Sequence, residues 1–176
     1  FQIDVDGPSS DLHSGSYGGA VVNPAMALAR ILATLHDATG QVAIPGFYDA
    51  VRAWEESVRA QIRTLPFDEE AFRHETGASA LGGEAGYSVL ERIWTRPTCE
   101  VNGLLSGYTG EGAKTVLPAK AMAKVSCRLV PDQDPDTVER QLKAHIAAVQ
   151  PAGVTVTVRA LHGGRPWRGE LAGPLF

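Results

Sequence analysis

This 176-residue sequence predicts an α+β fold, an antiparallel sheet with two helices on one face in the ferredoxin-like split βαβ arrangement, interrupted by a helical insertion. Three observations predict it. Four segments alternate or cluster apolar residues as strands do. Two helix starts share one signature, Asn23-Pro24 and Asp134-Pro135. The order of elements is strand, helix, insertion, strand, strand, helix, strand.

Phe1, Ile3 and Val5 alternate with Gln2, Asp4 and Asp6, which gives the first strand one apolar face. Gly7-Pro8 and then Gly15, Gly18 and Gly19 loosen the chain through an irregular stretch. Asn23 can accept from free helix amides, and Pro24 suits the first helical position because it has no amide to leave unpaired. Leu28, Ile31, Leu32 and Leu35 recur at helical spacing, so this helix is expected to run through His36, with Gly40 as the stop. Residues 41–96 read as an insertion. A helix from about Phe47 to Arg63 carries Val51, Trp54, Val58 and Ile62 on one stripe, and Pro66-Phe67-Asp68 opens a short helix through His74. The Gly- and Ala-rich stretch from Gly77 to Gly86 reads as loop, and Trp54 and Trp94 are assigned to the insertion's own core.

Strand signals return after Pro97. Cys99 to Leu105 is apolar enough for one strand. From Ala121 to Leu129, odd positions are apolar and even positions include Lys124, Ser126 and Arg128, as in a half-buried strand. Val138, Leu142, Ile146 and Val149 form the buried stripe of the Asp134 helix, which Pro151 and Gly153 end. Val154, Val156 and Val158 make the last strand. With both helices on one face, the other face of the sheet must meet solvent, a ligand or another domain.

The composition bounds function by exclusion. Apolar residues at 44% and charged residues at 20% suit one globular domain. A net charge of −4 argues against a nucleic-acid or anionic-membrane surface, and no apolar run is long enough to span a bilayer. Cys99 and Cys127 are too few for a disulfide framework and read as reduced thiols in a cytoplasmic protein. The sequence opens inside a strand pattern without an initiator Met and closes at Leu175-Phe176 after a loop-like stretch, so both ends read as cuts through a longer protein.

Three local patterns fail as sites. Gly107 to Thr115 resembles a phosphate-binding loop, but Ala113 separates Gly112 from Lys114 and Pro118 blocks the helix that must follow. Glu55-Glu56 and Glu69-Glu70 lie on helices of the insertion with no histidine ligand near and read as solvated faces. Asp11-Leu12-His13 holds two potential metal ligands where a zinc site needs three or four, and His36, His74, His145 and His162 are scattered; no metal ligand is assigned in this chain.

Four stretches together carry more. Asp11-Leu-His-Ser-Gly-Ser-Tyr-Gly-Gly19 with Asn23-Pro24, Gly110-Glu-Gly-Ala-Lys-Thr-Val-Leu-Pro118, Lys124-Val-Ser-Cys-Arg-Leu-Val-Pro131 and His162-Gly-Gly-Arg-Pro-Trp167 resemble, in this order, the lid domain of the M20 metallopeptidases in their carnosinase-like dipeptidase branch. The resemblance implies a dimerisation domain inserted in a separate catalytic domain, which holds two divalent metal ions, zinc by family habit, and supplies the general base. It implies a homodimer and a substrate that is a dipeptide or N-acyl amino acid. The family's His-x-Asp and Glu-Glu motifs are absent, so the chain alone is expected to be inactive. By resemblance His13 crosses to the partner's active site and stabilises the oxyanion, and Thr115 and Arg128 contact substrate. The chemistry is sensible: an imidazole N–H serves developing negative charge, and a guanidinium fork grips a carboxylate. Taken alone, His13 would be a loop histidine satisfied by its neighbours and Arg128 an exposed strand residue. The rival reading is a stand-alone ferredoxin-like ligand-binding or regulatory module.

Overall fold

The computed structural model describes residues 1–167 and 169; the stretch read as loop before Leu175-Phe176 lies outside the described residues. The chain runs β1 (Gln2–Asp6), β2 (Leu12–His13), α1 (Ser14–Tyr17), α2 (Pro24–Ala33), α3 (Glu56–Arg63), α4 (Glu69–Thr76), α5 (Val89–Thr95), β3 (Thr98–Ser106), β4 (Val116–Leu117), β5 (Lys120–Arg128), α6 (Pro135–Val149) and β6 (Thr155–Arg159). Four strands form an antiparallel sheet in the order β3-β5-β1-β6, the split βαβ topology.

Register decides which face is buried. Ile3 lies opposite Ala123 and Val158, and Val5 opposite Ala121 and Val156. These residues meet Ala27, Leu28 and Ile31 of α2 and Val138, Leu142 and Ile146 of α6 in one core. Both helices therefore cover the same face. The paired starts cap as their sequences demand: Asn23 Oδ1 accepts from the Ala25 amide at 2.9 Å and Asp134 Oδ2 from the Thr137 amide at 3.0 Å. The opposite face is charged. Arg159 bonds Asp4 at 2.8 Å, Lys120 pairs with Asp6 at 3.2 Å, and Lys124 bonds Gln2.

The first long helix is shorter than its pattern implies. It ends at Ala33, where the Thr34 hydroxyl donates to the Ile31 carbonyl, and Leu35 reaches the core from a turn. The expected helix from Phe47 is a helix only over Glu56–Arg63. Before it, Val42, Ile44 and Phe47 pack into the main core in a non-helical path. Gln133 fixes that path, donating to the Phe47 carbonyl at 2.9 Å, as does Gln141 to the Gly46 carbonyl. The short helix after Asp68 forms as read, with Asp68 as its cap. Trp94 is 54% exposed on α5 and is not part of a core, whereas Trp54 is partly buried.

What holds the insertion together is ionic as much as apolar. Glu91 on α5 is fully buried; its carboxylate accepts from Arg59 at 2.7 Å, from Arg63 at 3.1 Å and from the Ser88 amide at 2.7 Å. Arg96 grips Glu84 through two 2.7 Å bonds and stacks over the rings of Tyr48 and Tyr87.

Candidate functional site

A second, two-stranded sheet builds the His13 site. Leu12 pairs with Leu117 and His13 with Val116. Asp11 ties the approach, its Oδ1 accepting from the Ala119 amide at 2.8 Å, and the Ser14 amide donates to the Thr115 carbonyl at 3.2 Å. His13 then caps α1: its Nδ1 accepts from the Gly15 amide at 3.1 Å. A neutral imidazole that accepts at Nδ1 carries its proton at Nε2. That Nε2 lies 3.0 Å from the Thr115 hydroxyl oxygen, and both side chains are exposed. The Thr115 oxygen receives the histidine proton, so its own hydrogen is free to point outward. The structure thus brings together two of the three expected site residues, His13 donating to Thr115 and the Thr115 hydroxyl left as the outward donor.

Gly15 is required for this arrangement. A Cβ there would stand 2.9 Å from His13 Cε1 and 3.1 Å from Nδ1, displacing the ring that caps the helix.

Arg128 stands elsewhere. It ends β5 on the face away from the helices, opposite Thr98, and is exposed. Lys120, beside the His13 end, begins the same strand, so the two ends lie on the order of 25 Å apart. Around Arg128 a cleft of about 550 Å³ is lined by Lys124, Cys127, His162 and Arg165, among others. Its charge is basic, as a carboxylate ligand requires. His162 opens the last of the four stretches that carry the resemblance, with no role assigned to it there; its place in the Arg128 cleft makes it a further candidate.

The family model for the peptidase dimerisation domain matches residues 1–154. This chain belongs to the M20 peptidase dimerisation-domain family. His13, Thr115 and Arg128 fall within the matched span of the M20 domain and His162 beyond it. The domain is 36% identical over 149 residues to the Cys-Gly metallodipeptidase dug1 of Schizosaccharomyces pombe, covering 85% of this chain and 31% of that protein. Among solved structures it resembles an M20 family metallo-carboxypeptidase from Sulfolobus solfataricus, with 38% identity and a TM-score of 0.74 over 88% of this chain and 36% of that one. It also resembles human carnosine dipeptidase 1, with 26% identity and a TM-score of 0.83 over 99% of this chain and 38% of that one. The chain spans about a third of the length of the curated relatives it matches.

The stretch from Gly107 to Thr115 forms turns and leads into β4 rather than a helix. Glu56 and Glu70 are spent on Arg63 and Arg73. Among the described residues no group of three or more His, Cys, Asp and Glu side chains is placed to hold a metal ion. Among the described residues no helix is long and apolar enough to cross a membrane.

Proposed function

We propose that this domain dimerises and clamps substrate in a cytoplasmic metal-dependent hydrolase of dipeptides or N-acyl amino acids, with His13 acting in the partner subunit's active site. The observation that carries the reading is the His13–Gly15–Thr115 arrangement. The Gly15 amide fixes the imidazole tautomer with Nε2–H directed at Thr115, so an oxyanion arriving there can take the Nε2–H over from the Thr115 oxygen and accept from the Thr115 hydroxyl as well. Such preorganised donors stabilise an oxyanion, and loss of one costs about 10²–10³ in rate. The relatives are named metallodipeptidases and a metallo-carboxypeptidase. In this reading two divalent ions, zinc, sit in a catalytic domain outside this chain and polarise the scissile carbonyl there. Arg128, with His162 beside it, receives the substrate carboxylate.

The separation of these residues along the sheet supports dividing the roles between two sites. Donors on the order of 25 Å from Arg128 cannot serve the same small substrate from one protomer. In a homodimer each domain serves two sites, His13 and Thr115 in the partner's and Arg128 in its own. The surface for such pairing is the free edge of β3, where Val101 and Leu104 are exposed apolar residues, together with Met26 and the small residues Ala29 and Ala33 on the exposed face of α2.

The test mixes two inactive versions of the full-length protein, His13→Ala subunits and subunits that keep His13 but lack a metal ligand. In the mixed dimer the metal-bearing site of the first receives His13 from the second, and activity returns at one site per dimer. Confirmed subunit exchange without recovered activity would refute action in trans.

A further inference from the structure

The two cysteines face each other across the sheet. Cys99 on β3 lies directly opposite Cys127 on β5. Both are free thiols at the far end of the sheet from His13. Directly opposite positions of an antiparallel pair place Cβ atoms roughly 4.5–5.5 Å apart, at the edge of disulfide reach, so a small strand adjustment closes the bond. The two thiols differ in surroundings. Cys99 is 1% exposed and belongs to the core; Cys127 is partly buried and lines the basic cleft with Lys124, Arg128 and Arg165.

We propose that Cys99 and Cys127 form a redox modification site that reacts with anionic low-molecular-weight disulfides of the glutathione type. Cys127 is the attacking thiol and Cys99 the resolving one. The thiolate of Cys127 attacks one sulfur of the external disulfide, that S–S bond breaks, and one thiolate leaves. The Cys99 sulfur then attacks Cys127 Sγ, expels the second external thiol and gives up its proton to it. The chain loses two electrons and two protons, and the external disulfide becomes two thiols. The division of labour agrees with the thiol-thiol contact, which pushes Cys99 up and Cys127 down from the ordinary thiol range: the shared proton stays with the buried sulfur. A thiol lowered from its ordinary range is the reactive type. The basic lining of the same cleft favours a carboxylate-bearing disulfide. Closure staples the edge strand β3 to β5 next to Arg128. This site is independent of the role assigned to His13.

The experiment exposes the folded full-length protein to oxidised glutathione, blocks remaining thiols by alkylation after unfolding, and maps the peptides by mass spectrometry. The expected result is that both free thiols at these positions disappear, that the Cys99 and Cys127 peptides are joined, and that no glutathione is retained. Dithiothreitol restores both. Cys99→Ser should stop at one glutathione on Cys127, and Cys127→Ser should take up none at Cys99 while folded. The proposal is overturned if the native protein keeps both thiols, if it halts at a stable adduct on Cys127, or if Cys99 reacts first. The unsubstituted protein decides between these outcomes even if a variant fails to fold.

Discussion

At the scale of the residue, the His13 site depends on one amide and one missing Cβ. Gly15 gives its N–H to Nδ1 and leaves room for the ring. Gly15→Ala should therefore impair turnover of the full-length enzyme by about tenfold or more while leaving metal content unchanged, because it tilts a donor without removing it. Nitrogen NMR of the His13 ring is the direct check: Nδ1 should read as the unprotonated acceptor in the native domain, and a ring protonated at Nδ1 would contradict the assignment. Thr115→Val removes the second donor and should lower kcat by about 10–100-fold with little effect on KM, since a group that meets charge only in the transition state spares ground-state binding. The sequence singles out His13 as a candidate through its surrounding motif. Its partner geometry was not legible there, because Nε2 meets a hydroxyl 102 positions away through a two-stranded sheet too short to leave a periodic signal. The cleft position of His162 was hidden for the same reason. A Gly-Gly turn announces where the chain bends and says nothing about which strand end it bends towards.

At the scale of the element, periodicity and caps were enough for β1, β5, β6, α2 and α6, because each buries one face against the same core. The insertion was less legible. Val51, Trp54, Val58 and Ile62 keep helical spacing, yet Phe47 is drawn into the main core and its carbonyl into the Gln133 side chain, which overrides the local pattern. Helix α5 was missed because its inward face carries Glu91, a charge that any hydropathy pattern places outside. Its capping box with Ser88 was the available signal. The buried carboxylate has a measurable consequence. Burial pushes Glu91 up, but the Ser88 amide, Arg59 and Arg63 outweigh it and hold the group at about 2, below its usual 4.5. A depressed carboxyl stabilises the folded state above the unfolded value, and that contribution is lost as pH falls from 4.5 towards 2. Urea midpoints across this window should fall for the native chain and show a shallower dependence in Glu91→Gln. Glu91→Ala strands two guanidinium groups and breaks the cap, and should cost about 2–3 kcal/mol, read as faster amide exchange in α5. Unchanged exchange there would mean that Glu91 does not hold the insertion.

At the scale of the whole molecule, the proposed division of His13 and Thr115 from Arg128 between two active sites requires a pair of domains. An unpaired β3 edge flanked by Val101 and Leu104, the latter 63% exposed, is a surface that water tolerates poorly and a second copy can cover. Lysine at such an edge blocks strand addition with little effect on the core, since Leu104 is mostly exposed and is not one of the core residues. Leu104→Lys in the full-length protein should shift sedimentation from dimer to monomer. Turnover should fall with it, below the level of His13→Ala because Thr115 is withdrawn too, while bound metal and the folded far-ultraviolet signal stay unchanged. The decisive comparison is the double variant. If the dimer matters because it delivers His13, then once the subunits are apart His13 has no site to act on, and removing it costs nothing more. The two losses should therefore not add. If Leu104→Lys and His13→Ala multiply their effects, His13 acts within its own subunit or not at all, and the pairing serves stability rather than catalysis.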